Sequence, residues 1–323
     1  MAQGSAEDRL IARYFKPLAK HPGAFGFTDD AAAITPPAGH DLVLKTDGLI
    51  AGVHFFPDDP AEGVGRKALR VNLSDLAAKG AAPLGFLLAI ALPKDFSEEW
   101  LAGFVRGLGA DADAYGCPLL GGDTDSTPGP ISISVAAFGV VPNGTMVKRN
   151  GAKVGDHVFV SGTIGDAALG LRVRKGELAD TTGYLVSRYR VPQPRTALAE
   201  TLRAYASAAM DVSDGLVGDL TKLCAVSNVS ADIEVVRVPR SEAAERALGS
   251  DCELIVPILT GGEDYEVLCT VAPGRVASFQ SAAAQAGVPV ADIGPIVEGN
   301  VPPRFLNPEG QPLTFLQTAY SHF

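Results

Sequence analysis

Cysteine is scarce in this sequence, and its few copies lie far apart. Four cysteines occur among 323 residues, and no two form a CxxC pair: Cys117, Cys224, Cys252 and Cys269. Isolated cysteines of this kind indicate buried, reduced thiols rather than a disulfide framework or a zinc site. The sequence therefore favours a protein of the reducing cytoplasm.

Long apolar segments are also missing. The longest apolar run, residues 84–92, has about half the length that a bilayer span requires. Residues 1–10 are acidic and lack the apolar core of a secretory signal. We therefore expect a cytoplasmic protein that does not span a membrane.

Positive charge is in deficit. Lysine and arginine number 27 against 37 acidic residues, which gives a net charge of -10 and a pI near 5.0. Proteins that bind nucleic acids or anionic membranes normally present a basic surface, so the charge argues against both partners. An acidic enzyme that binds phosphates needs divalent cations or locally placed Arg and Lys.

The common nucleotide-binding and hydrolytic motifs are absent from the sequence. No GK dipeptide, GxSxG or HExxH string occurs, which excludes a P-loop, a nucleophile elbow and a zincin site. One GxGxxA string begins at Gly107, but it lies within a predicted helix rather than after a strand. It is therefore a poor candidate for a dinucleotide fingerprint.

The length of 323 residues suits two domains, and the apolar fraction of 46% excludes a disordered chain. The periodicity of the sequence predicts helices at residues 5–20, 62–79 and 97–115, and strands at 41–46, 84–92, 118–120 and 131–141. A similar alternation follows from residue 157, with the 118–120 strand ending in the GGDTDS string. We predict an α/β (α+β) fold with domains at 1–150 and 151–323.

Acidic residues recur beside glycine, threonine or serine at the ends of apolar segments. Six such strings begin at Asp29, Thr46, Ser74, Gly121, Asp211 and Gly261. Each one alone is explained by a turn or a helix cap. Carboxylates that converge on one cleft repel each other unless a cation neutralises them, and hard oxygen ligands suit Mg²⁺. The set favours magnesium-dependent polyphosphate chemistry.

The spacing of Asp211 and Asp214 fits this interpretation at a strand-to-helix turn. Two carboxylates three residues apart there can approach one metal cluster, and Ser213 would lie at a helix N-terminus, where phosphates bind. An ordinary helix cap at Ser213 or Asp214 explains the same residues equally well.

Taken in order, the strings resemble a known family. The chain reads GFTDDAA, KTDGLIAGVHF, VNLSDLAAKG, LLGGDTDS, RNGAKVGD, MDVSDGL, GGEDYEVL and a terminal AYSHF. This ordered set resembles the thiamine-monophosphate kinases, in the superfamily of aminoimidazole-ribonucleotide synthetase and selenophosphate synthetase. The resemblance implies transfer of the γ-phosphoryl group of ATP to thiamine monophosphate in thiamine diphosphate biosynthesis. It also implies a two-domain synthetase-like homodimer, with N-terminal sheets pairing across the dimer and a C-terminal domain closing the site.

The resemblance also implies the site residues. Several Mg²⁺ ions would be held by Asp30, Thr46, Asp47, Asp75, Asp123, Asp211 and Asp214. ATP would contact Gly122, Asp123, Arg149 and Ser213. Thiamine monophosphate would contact His54, Glu263 and Tyr320. We expect direct in-line transfer without a protein nucleophile or base, because the attacking phosphate oxygen is already ionised.

Three residues depart from the family pattern. Thr28 stands where glycine usually precedes the paired aspartates, and Lys45 stands where a small hydroxyl residue is common. Val105 stands at the position of a tyrosine that contacts ATP in relatives, so that contact is not carried over.

Two other classes of function compete with this hypothesis. A superfamily sibling would show a reactive cysteine before Cys117, a cysteine-bearing tail, or a chain without the GVHF and SHF elements. A non-catalytic protein that binds divalent cations through its acidic loops would bind metal without releasing ADP.

Overall fold

The computed structural model describes residues 5–320, so the SHF element at residues 321–323 lies outside the described residues. The chain forms two compact units. The N-terminal unit comprises Met1–Leu76 and Ala82–Gly144, and the C-terminal unit comprises Ala77–Ala81 and Thr145–Phe323. Each unit has its own sheet with helices, which confirms the α/β class. Over residues 5–320, no helix has the length and apolar character to cross a membrane.

The N-terminal unit contains a four-stranded sheet. Its strands are β1 (His40–Ile50), β2 (Ala82–Pro93), β3 (Leu119–Thr127) and β4 (Ser132–Pro142). β4 pairs antiparallel with β1 and β2, and β2 pairs parallel with β3, so β1 and β3 form the edges. The helices are α1 (Ala6–Leu10), α2 (Ala61–Ala78) and α3 (Glu98–Ala114). Ser97 caps α3 as predicted, accepting a hydrogen bond from the Trp100 N–H.

This sheet has one buried face and one exposed face. Side chains alternate along β1, so that Val43 and Leu49 are buried whereas Leu42, Leu44 and Ile50 are exposed. Burial of one face only is typical of an antiparallel edge strand, but the exposed positions here are apolar rather than polar.

The C-terminal unit contains a six-stranded sheet whose faces are both covered. Its strands are β5 (His157–Ser161), β6 (Ala206–Val212), β7 (Ser230–Glu234), β8 (Glu266–Val271), β9 (Val290–Val297) and β10 (Arg304–Leu306), in the order β10-β7-β9-β5-β8-β6. Its helices are α4 (Asp166–Arg174), α5 (Tyr184–Arg190), α6 (Ala199–Tyr205), α7 (Leu216–Ser227), α8 (Glu242–Ser250), α9 (Ile255–Thr260) and α10 (Val276–Gln285). Val158 packs in one apolar cluster with Leu220, and Phe159 packs in a second cluster with Phe279.

Two predicted elements differ from the structure for physical reasons. The strand predicted at 118–120 continues through the GGDTDS string to Thr127, because β2 supplies hydrogen-bonding partners along its whole length. The helix predicted at 5–20 begins with the expected capping box of Ser5 and Asp8. It then continues as a π-helix (Ile11–Phe15) and ends in a 3₁₀-helix (Lys16–Leu18) that contains Pro17, which cannot donate a backbone hydrogen bond. The short helices α5 and α9 were not predicted.

Candidate functional site

Lys45 of β1 contacts two carboxylates that the resemblance assigns to metal ions. Its Nζ lies 3.1 Å from Asp47 Oδ1 and 2.9 Å from Asp75 Oδ2. Lys45 and Asp47 lie two residues apart on the buried face of β1, and α2 presents Asp75 to them. Burial opposes the lysine charge, but attraction to Asp75 and Asp47 raises the pKa of Lys45 above its ordinary value. The ammonium therefore stays protonated.

Thr46 and His54 lie close to this group in sequence but contribute differently. Thr46 is exposed on the opposite face of β1, so its hydroxyl points away from Lys45. His54 closes the turn after β1, where its Nδ1 accepts a hydrogen bond from the Ile50 N–H at 3.0 Å. This bond leaves the proton of the neutral ring on Nε2. The His54 carbonyl accepts a hydrogen bond from the buried Lys67 Nζ at 2.8 Å.

Asp30 and Asp123 both line a cleft of about 790 Å³ in the N-terminal unit. Apolar side chains such as Leu87 and Phe138 line it, and both aspartates are exposed. Gly122 pairs with Leu88 in the sheet, and a Cβ at residue 122 would lie 1.8 Å from the Leu88 carbonyl oxygen. Only glycine therefore permits this backbone path. An apolar cleft with carboxylates suits a ligand that has one apolar part and one cation-bound part.

The sheet register separates this cleft from the Lys45 group. Asp47 pairs with Val135, Val135 with Leu88, and Leu88 with Gly122, whose neighbour is Asp123. Asp47 and Asp123 are therefore three strands apart, about 14 Å at the usual strand spacing. The predicted metal ligands of the N-terminal unit thus form two groups, Asp47 with Asp75 and Asp30 with Asp123.

In the C-terminal unit, the turn between β6 and α7 is shaped by Asp219. This carboxylate is fully buried, and its Oδ2 accepts hydrogen bonds from the Ser213 N–H at 3.0 Å and the Asp214 N–H at 2.9 Å. Gly215 is the N-cap of α7, with a φ of 116°, and no side chain caps the helix. The alternative of an ordinary cap at Ser213 or Asp214 is therefore wrong. Asp211 is buried at the end of β6.

Lys222 contacts the same turn from the middle of α7. Its Nζ lies 2.5 Å from Asp214 Oδ2 and 2.9 Å from Asp219 Oδ1. Burial lowers the pKa of Lys222, but the two carboxylates outweigh it and raise that pKa above its ordinary value. Both units therefore place a lysine ammonium against a predicted metal ligand.

Glu263 and Tyr320 are held beside this turn by backbone hydrogen bonds. The Glu263 N–H donates to the Ser213 carbonyl at 2.8 Å, and the Tyr320 N–H donates to the Asp214 carbonyl at 3.0 Å. Glu263 has a φ of 80°, a conformation that non-glycine residues rarely adopt. The C-terminal unit thus brings Asp211, Ser213, Asp214, Glu263 and Tyr320 to one region.

Arg149 lies elsewhere in the C-terminal unit. Its carbonyl accepts a hydrogen bond from Ser227 Oγ at 3.3 Å, in the last turn of α7. The Ser213 turn lies at the opposite end of that helix, about 18 Å away at 1.5 Å per residue. The structure therefore does not bring the Arg149 backbone to the turn, although its side chain is exposed.

The predicted ligands are associated two at a time: Asp47 and Asp75 share Lys45, Asp30 and Asp123 line one cleft, and Asp211 and Asp214 lie near one turn. Over residues 5–320, no group of three or more His, Cys, Asp or Glu side chains is arranged to hold a metal ion. A magnesium ion bound at such a pair takes its remaining ligands from water or from phosphate oxygens, which is common for this ion.

The departures from the family pattern have different surroundings. Thr28 follows the 3₁₀-helix Pro22–Phe27, and its hydroxyl donates to the Phe25 carbonyl at 2.7 Å. Val105 is buried within α3, which is a packing role. Lys45 is the departure that reaches predicted ligands.

Sequence reasoning missed Asp219, Lys222 and Asp264. Asp264 is buried, and its carboxylate accepts hydrogen bonds from the Gly165 N–H at 2.7 Å and the Ala167 N–H at 3.1 Å at the start of α4. Burial raises the pKa of Asp264 to about 8. Asp219 and Lys222 are three residues apart on the predicted helix, a spacing that indicates an ion pair on one helix face. No feature of the sequence indicates the contact of Asp264 with α4.

Comparison with known proteins gives matches over both halves of the chain. The family described as AIR synthase related protein, N-terminal domain, matches residues 28–141. The family described as AIR synthase related protein, C-terminal domain, matches residues 153–303. Thiamine-monophosphate kinase of Caulobacter vibrioides is 42% identical over 90% of this chain and 83% of its own length. The Salmonella typhimurium enzyme of the same name is 40% identical over 98% of each chain.

Solved structures give the same picture. Thiamine-monophosphate kinase from Stenotrophomonas maltophilia superposes with a TM-score of 0.83 and 38% identity, over 97% of this chain and 98% of that one. A structure described as AaThiL complexed with AMPPCP and TMP gives a TM-score of 0.78 at 30% identity, over 96% and 98%. The hydrogenase maturation protein HypE of E. coli reaches a TM-score of 0.83 at 23% identity over 98% of each chain, which shows a shared fold.

Proposed function

The chain belongs to the thiamine-monophosphate kinase family of AIR synthase related proteins, and from this premise we propose the reaction that it performs. It transfers the γ-phosphoryl group of ATP to the phosphate of thiamine monophosphate, giving thiamine diphosphate and ADP. The observation that carries the proposal is the identity of about 40% with thiamine-monophosphate kinases along nearly the whole chain. The arrangement of carboxylates and backbone amides within each unit agrees with it.

The chemistry asks for alignment and charge cancellation rather than for a base. A phosphate monoester has its second pKa near 6, so the attacking oxygen is already ionised at pH 7. The breaking and forming bonds involve two polyanions, which repel each other unless positive charge lies between them. The carboxylates of this acidic chain would serve that end by holding cations, and its Gly122 backbone would give phosphates close access.

Magnesium fits the donors that the chain offers. The ligands would be Asp30 and Asp123, Asp211 and Asp214, and those oxygens of Asp47 and Asp75 that Lys45 does not contact, with Thr46 contributing through its carbonyl. All of these donors are oxygens, the ligand type that Mg²⁺ prefers. Bound Mg²⁺ would neutralise phosphate charge in the reaction.

The resemblance assigns three residues to thiamine monophosphate. His54 and Glu263 would bind polar groups of the substrate, and the Tyr320 ring, which is 48% exposed, would stack on a cationic or aromatic ring. The Arg149 guanidinium, also exposed, would bind phosphates of ATP with two donors.

A homodimer accounts for the exposed apolar face of the N-terminal sheet. Leu42, Leu44 and Ile50 are 41%, 64% and 39% exposed on the edge strand β1. Exposed apolar faces on edge strands are normally covered by another element or another protein. The resemblance indicates that a second copy of this chain covers this one. Leu44→Glu should convert the dimer into a monomer in sedimentation velocity, whereas Val301→Glu, at a residue 59% exposed in the C-terminal unit, should not. A monomeric wild-type chain would contradict the proposal.

The activity is tested with purified protein, Mg-ATP and thiamine monophosphate. Thiamine diphosphate should form, and thiamine and AMP should be poor acceptors under the same conditions. Metal binding without ADP release would favour the non-catalytic alternative. Release of ADP with no thiamine diphosphate would indicate a different acceptor.

A further inference from the structure

The contacts of Lys45 leave no room for a second cation between its two partners. Its Nζ lies 3.1 Å from Asp47 Oδ1 and 2.9 Å from Asp75 Oδ2. A magnesium ion that bridged these same two oxygens would bind each of them at about 2.0–2.1 Å, in the place that the ammonium takes. The ammonium and the ion would therefore occupy one position.

The charges lead to the same conclusion. Two carboxylates carry two negative charges, of which the ammonium cancels one. A divalent ion placed beside the ammonium would be repelled at close range in a site whose side chains are only 21–35% exposed. The remaining single negative charge is a weaker attraction for Mg²⁺ than the unpaired carboxylates would be.

We propose that the Lys45 ammonium is a built-in cation that replaces a divalent ion between Asp47 and Asp75. The N-terminal unit then binds one divalent ion fewer than its carboxylates would otherwise hold. Lys45 is a positioning residue in this account, because it acts through the two carboxylates that it contacts. The inference rests on one part of the proposed function, namely that the carboxylates of the chain bind divalent ions.

The competing explanation is that Lys45 merely ties β1 to α2. A structural tie predicts lower stability when the lysine is removed, but no change in metal binding. The number of divalent ions bound per chain therefore distinguishes the two explanations, and it can be measured without turnover.

The test counts Mn²⁺ ions bound per full-length chain, from the free Mn²⁺ signal in electron paramagnetic resonance with saturating AMPPCP. Lys45→Ser and Lys45→Met should each bind one more ion than the wild type. Lys45→Arg keeps the charge and should bind the wild-type number. Lys20→Ser is the matched control, since Lys20 pairs with Asp113 at 2.7 Å in the same unit, and it should also leave the number unchanged.

An unchanged ion count in both neutral variants, with thermal unfolding showing that at least one is folded, overturns the inference. Lys45→Met provides for the case in which Lys45→Ser fails to fold, because it retains the apolar stem. An extra ion in the variants together with a wild type that makes no thiamine diphosphate would overturn the proposed function and leave this inference intact.

Discussion

Both units set a lysine against a predicted metal ligand, but the two lysines differ in their partners. Lys45 contacts Asp47 and Asp75, which the resemblance assigns to metal ions. Lys222 contacts one such residue, Asp214. It also contacts Asp219, whose carboxylate accepts hydrogen bonds from the backbone of the turn. In our proposal the lysine therefore takes the place of a divalent ion in the N-terminal unit, whereas in the C-terminal unit it contacts the carboxylate that shapes the turn.

The two sheets differ in a parallel way. The C-terminal sheet has apolar clusters on both faces, so residues of its own unit bury both faces. The N-terminal sheet exposes apolar side chains of β1 on one face. A unit that leaves such a face uncovered is the one that we expect to meet a second copy of the chain.

The largest expected effect tests the carboxylates of the N-terminal unit. Asp123→Ala should lower kcat by about 10²- to 10³-fold, the loss typical of a group that stabilises transition-state charge. The melting temperature should hardly change because Asp123 is exposed. Asp113→Ala, at a carboxyl that is also exposed in this unit, should retain full activity. Near-normal turnover in Asp123→Ala would contradict the metal-based account.

Asp219→Asn tests the loop-shaping role assigned to the C-terminal unit. The variant weakens the acceptor of two backbone N–H groups in a fully buried position, so the free energy of unfolding should fall by about 1–3 kcal/mol. Denaturant unfolding measures the change. The exposed Glu309→Gln should unfold like the wild type, and equal stability of Asp219→Asn would remove the distinction between the two lysine sites.

Asp264 makes the stability of the C-terminal unit depend on pH. Burial raises its pKa to about 8 in the folded protein. The unfolded chain titrates near 3.9, so the folded state alone retains the proton between these values. This contribution to the free energy of unfolding is complete below about pH 4 and is lost as pH rises through 8. In urea unfolding from pH 5 to 8, the free energy of unfolding should fall less steeply with pH in Asp264→Asn than in the wild type. The same pH dependence in both proteins would contradict the role of Asp264.

The smallest effect concerns Lys222. Its side chain is 42% exposed, so the ion pair with Asp214 is screened by solvent. Lys222→Met should change kcat/KM for ATP by less than about fivefold, which corresponds to ~1 kcal/mol. A loss as large as that of Asp123→Ala would place Lys222 in the transfer chemistry and erase the contrast with Lys45.

The sequence predicts most of this architecture because its signals are local. Ser97 before an amphipathic run predicts the start of α3, and the capping pair of Ser5 and Asp8 predicts the first turn of α1. The long strand β3 was beyond such reasoning, since glycine and aspartate form strands poorly and only pairing with β2 holds them extended.

The sequence predicted which residues belong to the candidate site, but not which of them contact each other. The contact of Lys45 with Asp75 joins positions 30 residues apart on a strand and a helix, and no periodicity reports such a contact. The likeness in ordered motifs identified the family, which the comparisons confirm. The site assignments themselves, the magnesium ions, the homodimer and the cytoplasmic location remain predictions.

The most direct test of the central claim measures thiamine diphosphate and ADP together as Mg²⁺ is varied at fixed ATP and thiamine monophosphate. The account predicts equal amounts of the two products, a rate that rises with Mg²⁺, and no product after addition of EDTA. Undiminished formation of thiamine diphosphate in EDTA, or ADP without thiamine diphosphate at any Mg²⁺ concentration, would contradict it.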